Sequence, residues 1–335
     1  MHCHPSLSLS IPVPYQLIQN NTTPSQDTIT RALSSGATIL PTDVDLISAS
    51  DIILSIVPPR DALATAQRFV SALSSCPAQG ETEEGTPDGT TQGKAAVCFA
   101  DLNAISPQSA KQIASLFSSL PSLRFIDGAI LGGPPVSPST PSPHPKQGES
   151  PPTSWTRPLI PTSGPISFSE ILPHGIGIHL ASVLNVRHIS AEIGAASGLK
   201  MCYASLSKGY SAIAVQVVTT ARRLGVLSDL EASLRELVPG GFERMERAVV
   251  GQAPKAYRWV REMEEISSTH GGEGGLGFMP EYIFRGAAEV FRTVAEDTVL
   301  GKEKTGKRER GVTAAEVADA VIDGLREKKK RKEEH

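Results

Sequence analysis

Three continuous apolar runs, each ended by proline or glycine, constrain this chain more than any other feature. Asp51 to Val57 (DIILSIV) stops at Pro58-Pro59, Ala95 to Leu102 (AAVCFADL) precedes Pro107, and Leu123 to Ile130 closes on Gly132-Gly133. A strand with one wet face alternates apolar and polar residues, whereas an unbroken run is buried on both faces. Helix-like stretches follow the runs: Arg60 to Ser75, and another opening near Pro107, a residue favoured in a first helical turn. Tyr15 to Asn20 is a candidate strand ahead of them, with a helix over Ser25 to Ser35 and a brief apolar pair at Ile39-Leu40. Leu159 to Thr162 and Leu184 to Ile189 complete the strand set. Alternating strands and helices predict a parallel sheet covered on both faces.

The pattern changes after Ile189. Ile193 to Leu224 contains no proline and places Leu199, Cys202, Leu206, Tyr210, Ile213 and Val217 three or four residues apart. That spacing defines one face of a long helix. Further helical runs cover Asp229 to Leu237, Phe242 to Val250, Lys255 to Ser268, Pro280 to Leu300 and Thr313 to Glu327. At roughly 150 residues per domain, 335 residues suggest two domains, which matches this division.

Composition narrows the function classes. The formal net charge is -3, which excludes a basic nucleic-acid coat or an acidic tail as a whole-chain description. Lys302 to Lys332 carries 11 Lys/Arg against 6 Asp/Glu and ends in a basic tail, 328–335. Residues 78–94 are nearly devoid of apolar side chains, and 136–154 are rich in Pro and Ser. Both read as flexible insertions. The four cysteines show no C-x-x-C pair. Met1 to Pro14 lacks a signal-peptide pattern, and no apolar stretch is long enough for a membrane span, so the expected location is cytoplasmic.

Three features bear on chemistry. Gly272 to Gly277 spells G-x-G-x-x-G, but it follows a helix and leads into Pro280, so it reads as a helix-terminating loop and not a dinucleotide turn. Lys200 shares a helical stripe with Ala196, Ser197, Ala204 and Ser207. An amine among small residues, partly desolvated, can exchange a proton with a hydroxyl. The strand ends Val57-Pro58-Pro59, Asp101 to Pro107 and Asp127 to Pro134 lie where open α/β sheets bind ligands. His174, His179 and His188 fit no common metal-ligand spacing.

Five ordered segments carry a family resemblance: SIVPP (55–59), DLNAISP (101–107), DGAILGGPP (127–135), IGAASGLKMCYASLSKG (193–209) and AYRWVREMEEI (256–266). Through them the sequence resembles the β-hydroxyacid dehydrogenase and 6-phosphogluconate dehydrogenase superfamily. The closest branch is the one carrying the C-terminal domain of phosphogluconate-dehydrogenase-like proteins. The resemblance implies an α/β Rossmann-like parallel sheet followed by an all-α C-terminal domain. Residues 15–190 would form the NAD(P)-binding domain and 191–327 the helical one. It also implies an NAD(P)-dependent oxidation of a 3-hydroxyacid-like substrate, with Lys200 as general acid/base. By the same resemblance Val57, Pro58 and Asn103 contact cofactor, and Asn103, Ser106, Gly132 and Gly133 contact substrate. NADP or NAD is the implied cofactor, NADP slightly preferred. A homodimer through the helical domain is implied, with no metal, nucleic-acid or membrane partner.

The departures are local. Ala204 stands where the wider family often has Asn, and Ala191 and Ala196 replace family glycines, while Gly194 is kept. The family's first βα unit, with its G-x-G-x-x-G, does not precede Tyr15. The expectation is that a longer native chain supplies it. If not, the chain is a non-catalytic cofactor-binding or dimerising protein that has lost the glycine loop. A further alternative is a nuclear-targeted interaction protein directed by Lys328 to Lys332.

Overall fold

The computed structural model of the chain describes residues 26–74, 97–120, 123–138, 155–173, 175–275 and 277–334. The candidate strand at Tyr15 to Asn20, the insertion at 78–94, most of that at 136–154, and His174 lie outside these residues.

Helix α1 (Gln26–Ser34) leads to α2 (Asp43–Ala49), whose Thr42 cap accepts the N–H of Asp45 at 3.1 Å. Strand β1 (Ile52–Ser55) follows, and its apolar run stops where Pro58 and Pro59 withdraw their donors. A single 3-10 turn, Pro59–Asp61, precedes α3 (Ala62–Ser74). Then come β2 (Val97–Asp101), α4 (Pro107–Phe117) and β3 (Leu123–Gly128). These three strands pair in parallel and in sequence order, β1-β2-β3. Their buried residues divide by the two-residue strand period. Ile53, Val97, Phe99, Leu123 and Phe125 meet α3 and α4, while Cys98, Ala100 and Ile126 meet the other layer. On the first face Phe99 lies 5.1 Å from Phe69 and 5.0 Å from Phe117, centroid to centroid.

The sheet departs from the all-parallel expectation at β4 (Ile160–Ser163), which runs antiparallel to β3, Asp127 opposite Ser163. A parallel neighbour would need a crossover connection, usually a helix. Instead the chain doubles back on itself. Leu131 and Leu159 exchange main-chain bonds of 2.8 and 2.9 Å, and Val136 and Thr156 exchange bonds of 2.9 and 3.0 Å. Two short helices missed in the sequence, α5 (Phe168–Ile171) and α6 (Ile176–Leu184), then cover the sheet. Strand β5 (Val186–Ser190) pairs with β4 in parallel at the far edge. Among the described strands the order never reverses, so no topological switch point occurs within β1–β5.

Helix α7 (Ala195–Leu224) is 30 residues long, proline-free, and ended by Gly225 at φ 76. Around it pack α8 (Leu227–Leu237), α9 (Gly241–Gln252), α10 (Ala256–Gly272), α11 (Gly286–Glu296) and α12 (Ala314–Glu333). The core uses the small side of α7: Met201, Ala204, Ala212, Val215 and Val218. The stripe expected from spacing faces outward, except that half-buried Tyr210 packs on the core. Leu206 is 76% and Ile213 57% exposed, and Leu199, Cys202 and Val217 are exposed with them. The helix has two apolar sides, and periodicity alone does not say which one the monomer buries. Helix α12 continues through Lys328 to Lys332, where cations complement the helix C-terminus. No described helix is long and apolar enough to cross a membrane.

Candidate active site

The site lies where the carboxyl ends of β1, β2 and β3 meet the first turns of α7 and the side of α10. Ser55, Asp101, Asp127 and Ser163 sit in register on neighbouring strands, and all four are buried. They form one polar row at the rim of the sheet, on the face that carries Phe99 and Phe125.

The β1 and β2 ends are tied by Asn103. Its Oδ1 accepts the N–H of Val57 at 2.6 Å, and its Nδ2 donates to Ser55 Oγ at 2.9 Å. Its own N–H donates to Asp101 Oδ1 at 2.9 Å. Val57, Pro58 and Asn103 are therefore one unit, with Ile56, 59% exposed, at its mouth. Ser106 is buried, and its hydroxyl is committed to the cap of α4, accepting the N–H of Ser109 at 3.2 Å. The Ser106 N–H donates to Glu265 Oε2 at 2.9 Å, an acceptor from the helical half.

The β3 end carries the glycine turn. Gly132 adopts φ 112, a conformation that only glycine takes without strain, and a Cβ at Gly133 would meet nothing within 4 Å. Lys200 comes to this turn from α7, and its Nζ donates to the Ile130 carbonyl at 2.6 Å. Burial lowers the affinity of the Lys200 amine for its proton, and the charge of Arg258 on α10 lowers it further. Lys208, two turns along α7, pairs with Glu262 of α10 and lies 5.5 Å from the ring centre of Trp259. Burial holds its pKa well below the ordinary lysine range, and the charges of Lys200, Arg258 and Lys255 add to that effect. Lys200, Arg258 and Lys255 thus gather around Lys208, which is bonded to Glu262.

The structure brings Lys200 to the Ile130–Gly133 turn and Asn103 to Val57. The sequence reading did not single out Asp101, Asp127, Lys208, Arg258 or Glu265. All five fall inside quoted motifs, but their partners lie up to 159 residues away. Two helix N-termini beside the site are closed by the protein's own carboxylates, α4 by Glu265 and α7 by Asp127. The letters G-x-G-x-x-G begin at Gly272, the last residue of α10, so they follow a helix and not one of the described strands. His179 and His188 are exposed. Cys98 is buried, and burial pushes its thiol up to about 12. Cys202 is exposed.

Residues 221–294 match the family model described as Domain of unknown function (DUF1932). No curated protein matches the sequence. In fold the chain is similar to a conserved hypothetical protein from Sinorhizobium meliloti 1021, at 20% identity over 90% of this chain and 83% of that one, TM-score 0.51. It is also similar to two 3-hydroxyisobutyrate dehydrogenases. The Mycobacterium tuberculosis enzyme, solved with L-serine, is 12% identical over 89% of this chain and 88% of that one, TM-score 0.50. The Salmonella typhimurium enzyme is 16% identical over 88% of each chain, TM-score 0.50. At these identities the likeness is one of fold. The fold is thus similar to that of 3-hydroxyisobutyrate dehydrogenases, and the helical half carries the DUF1932 match.

Proposed function

We propose that the protein is an NAD(P)-dependent oxidoreductase acting on the CH–OH group of a 3-hydroxyacid-like substrate, with Lys200 as general acid/base. One observation carries the reading: a half-buried amine of lowered proton affinity is aimed at the glycine turn, 2.6 Å from the Ile130 carbonyl. In its neutral form Lys200 accepts the proton of a substrate hydroxyl placed against that turn, and it returns a proton in the reverse direction. Gly132 and Gly133 leave room for the substrate carbon chain, Asn103 orients it, and Ser106 holds the loop that carries Asn103. The cations Lys208, Lys255 and Arg258 favour an acidic substrate.

A bound nicotinamide dinucleotide supplies the hydride acceptor. Val57, Pro58 and Asn103 fit the nicotinamide end, where exposed Ile56 gives the apolar mouth a flat ring needs. The N-termini of α4 and α7 do not fit the pyrophosphate, because Glu265 and Asp127 already fill them. NADP is the preferred form within the reading. Residues 15–190 and 191–327 are the nucleotide-binding and helical domains, in a cytoplasmic protein. The outward apolar stripe of α7 supports a homodimer through the helical domain.

Titration of NADPH against tryptophan fluorescence tests the cofactor, and saturable quenching is expected. The absence of any change at millimolar NADPH overturns the reading. Lys200→Ala is expected to keep that binding while turnover falls about 100-fold or more. Undiminished turnover removes Lys200 from its role.

A further inference from the structure

We propose that Asp127 is the positioning residue of the site, its carboxylate fixing the first turn of α7 on the sheet and so holding Lys200 against the glycine turn. The inference rests on the reading of Lys200 given above, and it adds a residue that the reading does not use.

Asp127 is fully buried at the end of β3. Its Oδ2 accepts from Ser163 Oγ at 2.7 Å, from the Gly194 N–H at 2.9 Å and from the Ser197 N–H at 3.2 Å. Its Oδ1 accepts from Ser197 Oγ at 2.5 Å. Ser163 Oγ also accepts the N–H of Ala196 at 3.0 Å. Helix α7 begins at Gly194 without a side-chain cap of its own. The free donors of its first turn are therefore met by two residues of the sheet, and the carboxylate also complements the positive end of the helix.

Helical geometry carries this anchor to Lys200. Ser197 and Lys200 are three residues apart, so they share a side of the helix. Asp127 and Ile130 are three residues apart on the strand exit. The helix and the exit are thus fastened twice, Asp127 to Ser197 and Ile130 to Lys200. A slide of α7 by one residue, about 1.5 Å along its axis, breaks both.

The neighbouring carboxyl fits the same assignment. Asp101 lies beside Asp127 in strand register, and its Oδ2 is buried with no hydrogen-bond partner among the described residues. Two of the groups facing Asp127 are main-chain N–H groups, which can only donate, so both are met by a carboxylate oxygen. Burial raises the Asp101 pKa to about 7, and the charge of Asp127 adds to the rise.

Competitive acetylation of the full, unliganded chain with acetic anhydride, read peptide by peptide across pH 6 to 11, gives the titration midpoint of each lysine. The charged group facing Lys200 from α10 is Arg258. In the unmodified protein the Lys200 midpoint should lie below that of exposed lysines. In Asp127→Asn, whose amide turns a donor toward donors, it should rise by at least about one pH unit as Lys200 leaves its place. Lys208, on the same helix but held by Glu262, should stay where it is. Ser197→Ala removes one hydroxyl, leaves the fold intact, and should move Lys200 the same way by less. Asp127→Glu should restore part of the shift. An unchanged Lys200 midpoint in folded Asp127→Asn and in Ser197→Ala overturns the proposal, as does an equal shift of Lys208. Loss of turnover plays no part in this measurement, so failure of the dehydrogenase reading leaves the positioning result legible, and the reverse.

Discussion

Glu265 Oε2 accepts the main-chain N–H of Ser106 at 2.9 Å, so a carboxylate of the helical half closes the N-terminus of a helix in the sheet half. The same oxygen accepts from Ser109 Oγ at 2.9 Å, and Oε1 accepts from Arg261 at 2.7 Å. Asp127 does the converse, closing a helix of the helical half from the sheet. Glu265→Ala should therefore destabilise the protein by about 2–3 kcal/mol, because it leaves the buried Ser106 N–H unpaired and the Ser109 hydroxyl without its acceptor. Urea unfolding should show a lower midpoint with an unchanged slope. An unchanged midpoint would mean that solvent replaces the carboxylate without loss.

Asp101 gives stability a pH dependence of defined sign. Below about pH 4 its carboxyl is protonated in the folded and unfolded chains alike. Between the ordinary value of 3.8 and about 7 the folded chain keeps a proton that the unfolded chain releases. The contribution of Asp101 to stability therefore falls as pH rises through that window, by on the order of a few kcal/mol, and the penalty is complete above it. Asp101→Asn should flatten this slope between pH 5 and pH 8 in urea unfolding. Equal slopes in the two proteins would show that Asp101 is ionised throughout.

In the proposed homodimer the outward stripe of α7 is the contact surface. Leu206→Glu and Ile213→Glu should each convert a dimer into a folded monomer in sedimentation equilibrium, since an unpaired charge is costly in a closed apolar interface. A wild-type protein that sediments as a monomer would remove the interface.

Two glycines near Lys200 should respond unequally to alanine. At Gly194, with φ 101, a Cβ would lie 3.1 Å from Pro107 Cβ and 3.2 Å from Lys111 Cε. Gly194→Ala should destabilise by about 1–3 kcal/mol. At Gly133 a Cβ meets open space, and Gly133→Ala should stay within about 0.5 kcal/mol of the parent in thermal or urea melts. A reversed order would contradict the geometry of the first α7 turn.

The legible parts of the fold are those written in local composition. Buried runs marked β1, β2 and β3, Pro107 marked the start of α4, and the absence of proline marked α7. The reversal at β4 was less visible, because a four-residue strand carries no sign of its direction. Helices α2 and α5 were signalled only by the Thr42 cap and by the Ser167/Glu170 capping box. In the site, Lys200 and the glycine turn could be named because their residue types are distinctive. Asp127 and Glu265 read as ordinary turn and helix residues until the fold placed helix donors against them, 67 and 159 residues away in sequence.

The doubled-back segment after β3 has a consequence for how this protein can vary. Its two arms are riveted at Leu131–Leu159 and again at Val136–Thr156, between the glycine turn and the chain beyond. Loop closure depends only weakly on the number of residues closed, each doubling adding about 0.6 kcal/mol. Residues between the outer rivets can therefore be gained or lost in numbers without disturbing the strand exit at Ile130. Length there is free to drift, while the few residues between Asp127 and Gly133 are not.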